Sequence, residues 1–151
     1  MRSLRCNVIC SAKPRKYVEG KAYCETLWMR VASVHSQAEN DAIGQLIGPT
    51  GQDAFLGAER LDDMSWQWHD GTPWNFEAWQ RGQPESFADQ NFMTIEWQLG
   101  SGVDWRNTVD EEHGVACSAP SISAIRGDIP TGILQLGGPE NSALIAASAD
   151  L

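Results

Sequence analysis

Trp66-Gln67-Trp68-His69-Asp70-Gly71-Thr72-Pro73-Trp74, followed by Trp79 and Gly82-Gln83-Pro84-Glu85, is the stretch that decides how this chain folds. From Asp62 to Ala88 it mixes turn residues with indoles, and Asp70-Gly71 and Thr72-Pro73 break any regular element. Such a segment cannot hold itself by backbone ladders. Large rigid indoles can anchor it by buried area, with each ring N–H finding an acceptor. Trp66, Trp68, Trp79 and Trp105 are therefore expected as core pins rather than as ligand platforms.

Working outward, residues 19–28 read as a short helix with Ala22, Tyr23 and Leu27 on one side, and Met29 to His35 as a short strand. Ser36-Gln37-Ala38-Glu39 is a capping box, in which the serine hydroxyl and the glutamate carboxylate each satisfy a backbone N–H. Ala42, Ile43, Leu46 and Ile47 continue at helical spacing until Gly48-Pro49. Ala54 to Ala58, Phe92 to Trp97 and Gly114 to Ser118 read as strands. Two helices followed by a loop-rich, strand-rich half predict an α+β domain. Residues 1–16 are expected to be an irregular basic segment, 17–118 the domain, and 119–151, which lacks aromatic residues, a flexible low-complexity tail.

At 151 residues the chain is long enough for one real core, and 42% hydrophobic residues exclude a wholly disordered chain. No apolar run approaches the ~18 residues of a transmembrane helix. Residues 1–30 carry seven basic and two acidic side chains, yet the whole chain has a net charge of −9. An acidic body of this kind repels phosphate backbones, which argues against nucleic acid as a partner.

Taken in order, these pieces resemble the C-type lectin-like domain. Ala22-Tyr23-Cys24 and Val31-Ala32-Ser33-Val34 look like its first helix and the strand entry behind it, and Ser36 to Asp41 like the start of its second helix. Phe55-Leu56-Gly57 stands where the family has Trp-Ile-Gly-Leu. Trp66-Gln67-Trp68-His69-Asp70-Gly71 matches the Trp-x-Trp-x-Asp-Gly signature. Trp79, Gly82-Gln83-Pro84-Glu85, Trp105-Arg106-Asn107 and Val115-Ala116-Cys117 follow at family spacing. The resemblance implies two helices with small antiparallel sheets and a long loop region. It also implies a disulfide between Cys24 and Cys117, worth ~4–5 kcal/mol by chain entropy. Cys6 and Cys10 are left paired with each other or free. A disulfide places the domain in an oxidising, extracellular setting, although residues 1–16 contain no apolar stretch of a secretory signal.

In sugar-binding members a Glu-Pro-Asn or Gln-Pro-Asp triplet, a later Glu and an Asn-Asp pair bind calcium, which in turn holds two sugar hydroxyls. Here the triplet corresponds to Gln83-Pro84-Glu85, close to the galactose type; Phe87 stands at its stacking aromatic, Gln90 at the later Glu, and Arg106-Asn107 at the Asn-Asp pair. The resemblance therefore implies Gln83, Glu85, Phe87, Gln90 and Asn107 as ligand-binding residues, with Gln83, Glu85, Gln90 and Asn107 as the metal donors. Calcium prefers 6–8 oxygens, whereas this set holds one carboxylate, Glu85, and puts a permanently charged guanidinium, Arg106, in a ligand position. Asp89 or Asp104 would restore a donor only by a loop shift. A weakened calcium site, or none, is expected.

The resulting expectation is a non-enzymatic carbohydrate-binding module, galactose-type, with an eroded calcium site or none; the alternative is a metal-independent protein-interaction domain of the same fold. A glycoside hydrolase needs two carboxylates about 5–9 Å apart across a sugar, and only Glu85 is assigned to the loop. Asp62-Asp63 with His69-Asp70, and Asp110-Glu111-Glu112-His113, read as turn caps and solvated charge.

Overall fold

The computed structural model describes residues 8–100 and 102–119. Strand β1 (Val8–Arg15) leads into helix α1 (Tyr17–Thr26), then β2 (Arg30–Val31) and α2 (Gln37–Ile47), which ends in a 3-10 turn over Gly48–Thr50. The second half holds β3 (Ala54–Leu56), β4 (Ala58–Arg60), β5 (Trp66–Trp68), β6 (Phe92–Gln98), β7 (Gly102–Thr108) and β8 (His113–Ser118). The main sheet runs β1-β8-β3-β6-β7, antiparallel except where β3 lies parallel to β8, and β2 pairs with the end of β8. β4 and β5 form a separate hairpin that opens the long loop.

The expected irregular segment is corrected at residues 8–15, which form an edge strand on β8 in the register Ile9↔Cys117. Its side chains are all half-buried or exposed, so it shows no apolar alternation, and its pairing partner lies far along the chain. Residues 1–7 and 120–151, including Cys6 and most of the expected tail, lie outside the described residues. The first helix begins two residues earlier than expected, where Glu19 accepts the Lys16 N–H (3.0 Å) and Asp110 accepts that of Tyr17 (3.0 Å). It ends before Trp28, whose φ of +60° cannot continue a helix.

Alternation along the strands sorts the core onto the two faces of the sheet. Ala54, Leu56, Met93, Ile95, Trp105 and Ala116 face α2, where Ile43 and Ile47 cover them. Phe55, Val115 and Cys117 face α1 and pack with Tyr17 and Cys24. Cys24 and Cys117 are joined by a disulfide, as the family resemblance implied. Helix α2 lies so close to β7 that a Cβ on Gly44 would come within 2.1 Å of Val103. Asn40, wholly buried in the same helix, donates to the Val103 carbonyl (2.8 Å) and accepts the Trp105 indole N–H (2.7 Å), so its burial is compensated at both ends.

The indoles hold the long loop against the sheet. Trp105 is fully buried, and the rings of Trp68, Trp74, Phe76 and Trp79 meet it edge to face at 5.6–5.9 Å. Trp66 packs on Trp79 at 5.3 Å. The Trp105 backbone also donates to Ala78 O and accepts from Gln80 N, both at 2.8 Å. The expected partners for the ring N–H groups are found for Trp105 and for Trp74, which donates to Glu77 (2.7 Å); those of Trp66 and Trp68 have none among the described residues.

Asp70 fixes the turn at the start of this loop. It accepts from the Ser33 hydroxyl (2.6 Å) and from the backbone and hydroxyl of Thr72. Partial burial pushes its carboxyl up, but these hydrogen bonds, with the nearby His35, outweigh it and hold the group below its ordinary 3.8. A depressed folded-state value adds stability above the ordinary value, and that contribution disappears as pH falls through the depressed one. Asp70→Asn is therefore expected to cost ~1–2 kcal/mol near neutrality, reduced by the group's partial exposure. The variant's urea midpoint should approach that of the parent as pH falls below the ordinary carboxylate value, and a gap that does not narrow at all on acidification would show that the charge is not responsible.

Candidate functional site

Residues 83–91 form a loop seated on the end of β7. Gln83–Pro84 is a cis peptide. Asn107, on β7 opposite Met93, is wholly buried and uses its entire amide inside the loop. Its Oδ1 accepts the Glu85 N–H (2.7 Å), and its Nδ2 donates to the carbonyls of Glu85 (2.8 Å) and Gln90 (2.9 Å). Its backbone N–H donates to Gln83 Oε1 (3.2 Å). Asn107, expected among the ligand-binding donors, instead holds the loop in place and cannot touch a ligand from a fully buried position. Gln90 Oε1 is also shielded from solvent and has no partner among the described residues. Gln83 and Glu85 remain half-exposed, and Phe87 is 58% exposed.

Arg60, at the end of β4, was not singled out by the sequence but reaches this loop with most of its donors. Nε donates to Asn91 Oδ1 (3.0 Å), one terminal nitrogen to Glu85 O (3.1 Å), and the other to Phe87 O. No short motif marks such a residue, because its partners lie 25 to 31 positions away. Asn40 did leave a signal: it stands in helical phase with Ile43 and Ile47, so a polar residue on the buried face pointed to a specific partner.

The expected electrostatic objection to calcium takes a different form. Adjacent residues of a strand face opposite ways. While Asn107 turns toward the loop, Arg106 turns to Glu96 across the sheet (3.7 Å). Asp104 stands on the Arg106 side, in register with Glu96, and is not available to the loop. The donor set nevertheless does not fit calcium: Glu85 is its one carboxylate, the other three members are neutral amides, and that of Asn107 is fully buried and committed to the loop backbone. Among the described residues no three His, Cys, Asp or Glu side chains gather in a metal-binding arrangement.

The other polar constellations are committed to the fold. His69 lies between the Tyr17 hydroxyl (2.6 Å) and Glu59 (2.9 Å). Burial, reinforced by the Glu59 and Asp70 charges, pushes the Tyr17 hydroxyl well above its usual range. The hydrogen bond from His69, then that from Gln67, lowers Glu59. His113 pairs with Asp53 (2.9 Å), and Asp110 caps α1. Two grooves of about 330 and 290 Å³ flank Trp97, and neither is lined by residues 83–91.

The lectin C-type domain profile matches residues 13–117, about two-thirds of the chain. The chain belongs to the C-type lectin family. A lectin of Pleurodeles waltl is 26% identical to it over 92 residues, which is 53% of this chain and 54% of that protein. Nattectin of Thalassophryne nattereri, a galactose-specific lectin by name, is 28% identical over 91 residues, covering 54% and 57%. The C-type lectin domain of murine dendritic cell inhibitory receptor 2, solved in complex with an N-glycan, superposes with a TM-score of 0.68 at 22% identity, over 76% of this chain and 90% of that one. The match spans about half the length of the first curated relatives. In this C-type lectin domain, no described helix is long and apolar enough to cross a membrane.

Proposed function

We propose that this C-type lectin domain binds glycans ending in galactose, without calcium and without converting them, in an oxidising extracellular setting. The observation that carries the reading is the exposed Phe87 ring, two residues beyond Glu85 on a loop whose backbone is already hydrogen-bonded. A flat apolar ring suits the apolar side of a pyranose, and the half-exposed Gln83 and Glu85 offer an amide and a carboxylate to its hydroxyls. The buried Asn107 ties Glu85 and Gln90 together within the same loop. The triplet Gln83-Pro84-Glu85 and the similarity to a protein named as a galactose-specific lectin support the choice of sugar. The Cys24–Cys117 bond supports the compartment.

The test is retention on immobilised galactose with calcium and with EDTA. Equal retention in both is expected, elution by free galactose, and a ~10-fold weaker interaction for Phe87→Ala, equivalent to ~1.4 kcal/mol. Absence of retention on galactose in either buffer would overturn the proposal. Millimolar calcium should leave the melting temperature unchanged, since a cation that bound only the folded form would raise it by mass action.

A further inference from the structure

The donor set that fails to fit calcium raises the question of what organises the loop instead. We propose that the Arg60 guanidinium is the loop's built-in cation: it gathers the carbonyls of Glu85 and Phe87 and the Asn91 side chain, and so makes the shape of the binding face independent of divalent ions. This rests on the glycan reading only for the use of that face, not for how the loop is held.

Carbonyl oxygens that converge with no positive partner repel one another, and a metal ion is one remedy. A guanidinium is another. It is charged at every physiological pH and presents five N–H donors in a rigid plane. Three of the Arg60 side-chain nitrogens each reach a different acceptor between Glu85 and Asn91. Its backbone N–H also donates to Asn91 O at 3.3 Å. The clamp has a fixed base, because Arg60 pairs with Trp66 in the β4–β5 hairpin and the Trp66 ring packs on Trp79. From the opposite side Asn107 holds the same Glu85 carbonyl, so that oxygen has donors on both of its lone pairs. The Phe87 carbonyl likewise receives Arg60 and the Gln90 N–H (3.2 Å). Cation and amide together satisfy the carbonyls of Glu85, Phe87 and Gln90 and leave the Phe87 ring free to face outward.

Backbone hydrogen exchange tests this without any ligand. In the intact protein the Glu85 and Gln90 amides should be protected equally with calcium and with EDTA. Arg60→Ala should speed their exchange at least 10-fold while the strand amides of Phe55 and Ile95 stay unchanged, and added methylguanidinium should partly restore protection. Arg60→Lys, which keeps the charge but not the fork, should fall between the two, and it carries the test if the alanine variant fails to fold. Unchanged loop protection in these variants, or a loop in the parent that EDTA loosens, would overturn the clamp. Loss of protection in Arg60→Ala alongside a parent that ignores galactose would uphold the clamp and reject the sugar.

Discussion

Replacing Cys24 and Cys117 together by alanine is expected to lower the unfolding free energy by ~4–5 kcal/mol and the melting temperature by roughly 15–20 °C. The effect lies mainly in the unfolded chain. The bond spans 93 positions of sequence, and closing a loop of that size removes conformational freedom that the open chain would otherwise regain. In the folded protein both sulfurs are fully buried beside Tyr17, Phe55 and Val115, so a double alanine variant also leaves a small void against α1. Calorimetry in non-reducing buffer measures the loss directly. The same burial predicts that mild reductant acts only on molecules that have opened. A melting temperature within a few degrees of the parent would show that the denatured chain is held compact by other means.

Trp105→Ala is expected to cost ~3–5 kcal/mol and to release the long loop along with it. Trp105 is where the rings of Trp68, Trp74, Phe76 and Trp79 converge, and its own N–H is the donor that satisfies the buried oxygen of Asn40. Removing it opens a cavity and strands that acceptor, a second penalty of ~1–3 kcal/mol that does not simply add to the first. Trp105→Phe separates the two effects, since it keeps most of the ring and loses the bond to Asn40. Urea unfolding followed by far-ultraviolet circular dichroism should rank parent, phenylalanine and alanine in that order, and galactose retention should vanish with the alanine variant. Equal stability of the phenylalanine and alanine variants would mean that the hydrogen bond, and not the ring, carries the effect.

The parts of this fold that could be read from the sequence are those whose cause is local. The Ser36–Glu39 box, the Ile43 and Ile47 spacing and the Gly48-Pro49 stop are self-contained, and α2 forms where they place it. Trp68 and Trp105 could be assigned to the core because a loop-rich segment has few other means of support. β1 could not be read, because its reason for being extended is β8, about a hundred residues away. β7 was not marked as a strand although Val103 and Trp105 alternate with Asp104 and Arg106, because the pattern is short and its third buried position is the polar Asn107. In the candidate site, the resemblance at Gln83-Pro84-Glu85 drew attention to the loop, but not to which side chains face outward. Strand parity sends Arg106 and Asn107 to opposite sides, and only the register with β6 shows this. Arg60 and Asn107 meet the loop largely through backbone groups of Glu85, Phe87 and Gln90, and those leave no trace in side-chain chemistry.

The pairing of Val8 with Ser118, and of Ile9 with Cys117, means that a pull applied to these two positions is applied at one edge of the domain. β1 would peel from β8 one rung at a time, a mode that resists tension weakly, and α1 would follow until the strain reached Cys24. From there the covalent path crosses the sulfur bridge to Cys117 and leaves again. Residues 25–116, with the clamped loop among them, lie off that path, so a molecule pulled at these two positions would lengthen by a short fixed amount while the loop stayed in shape.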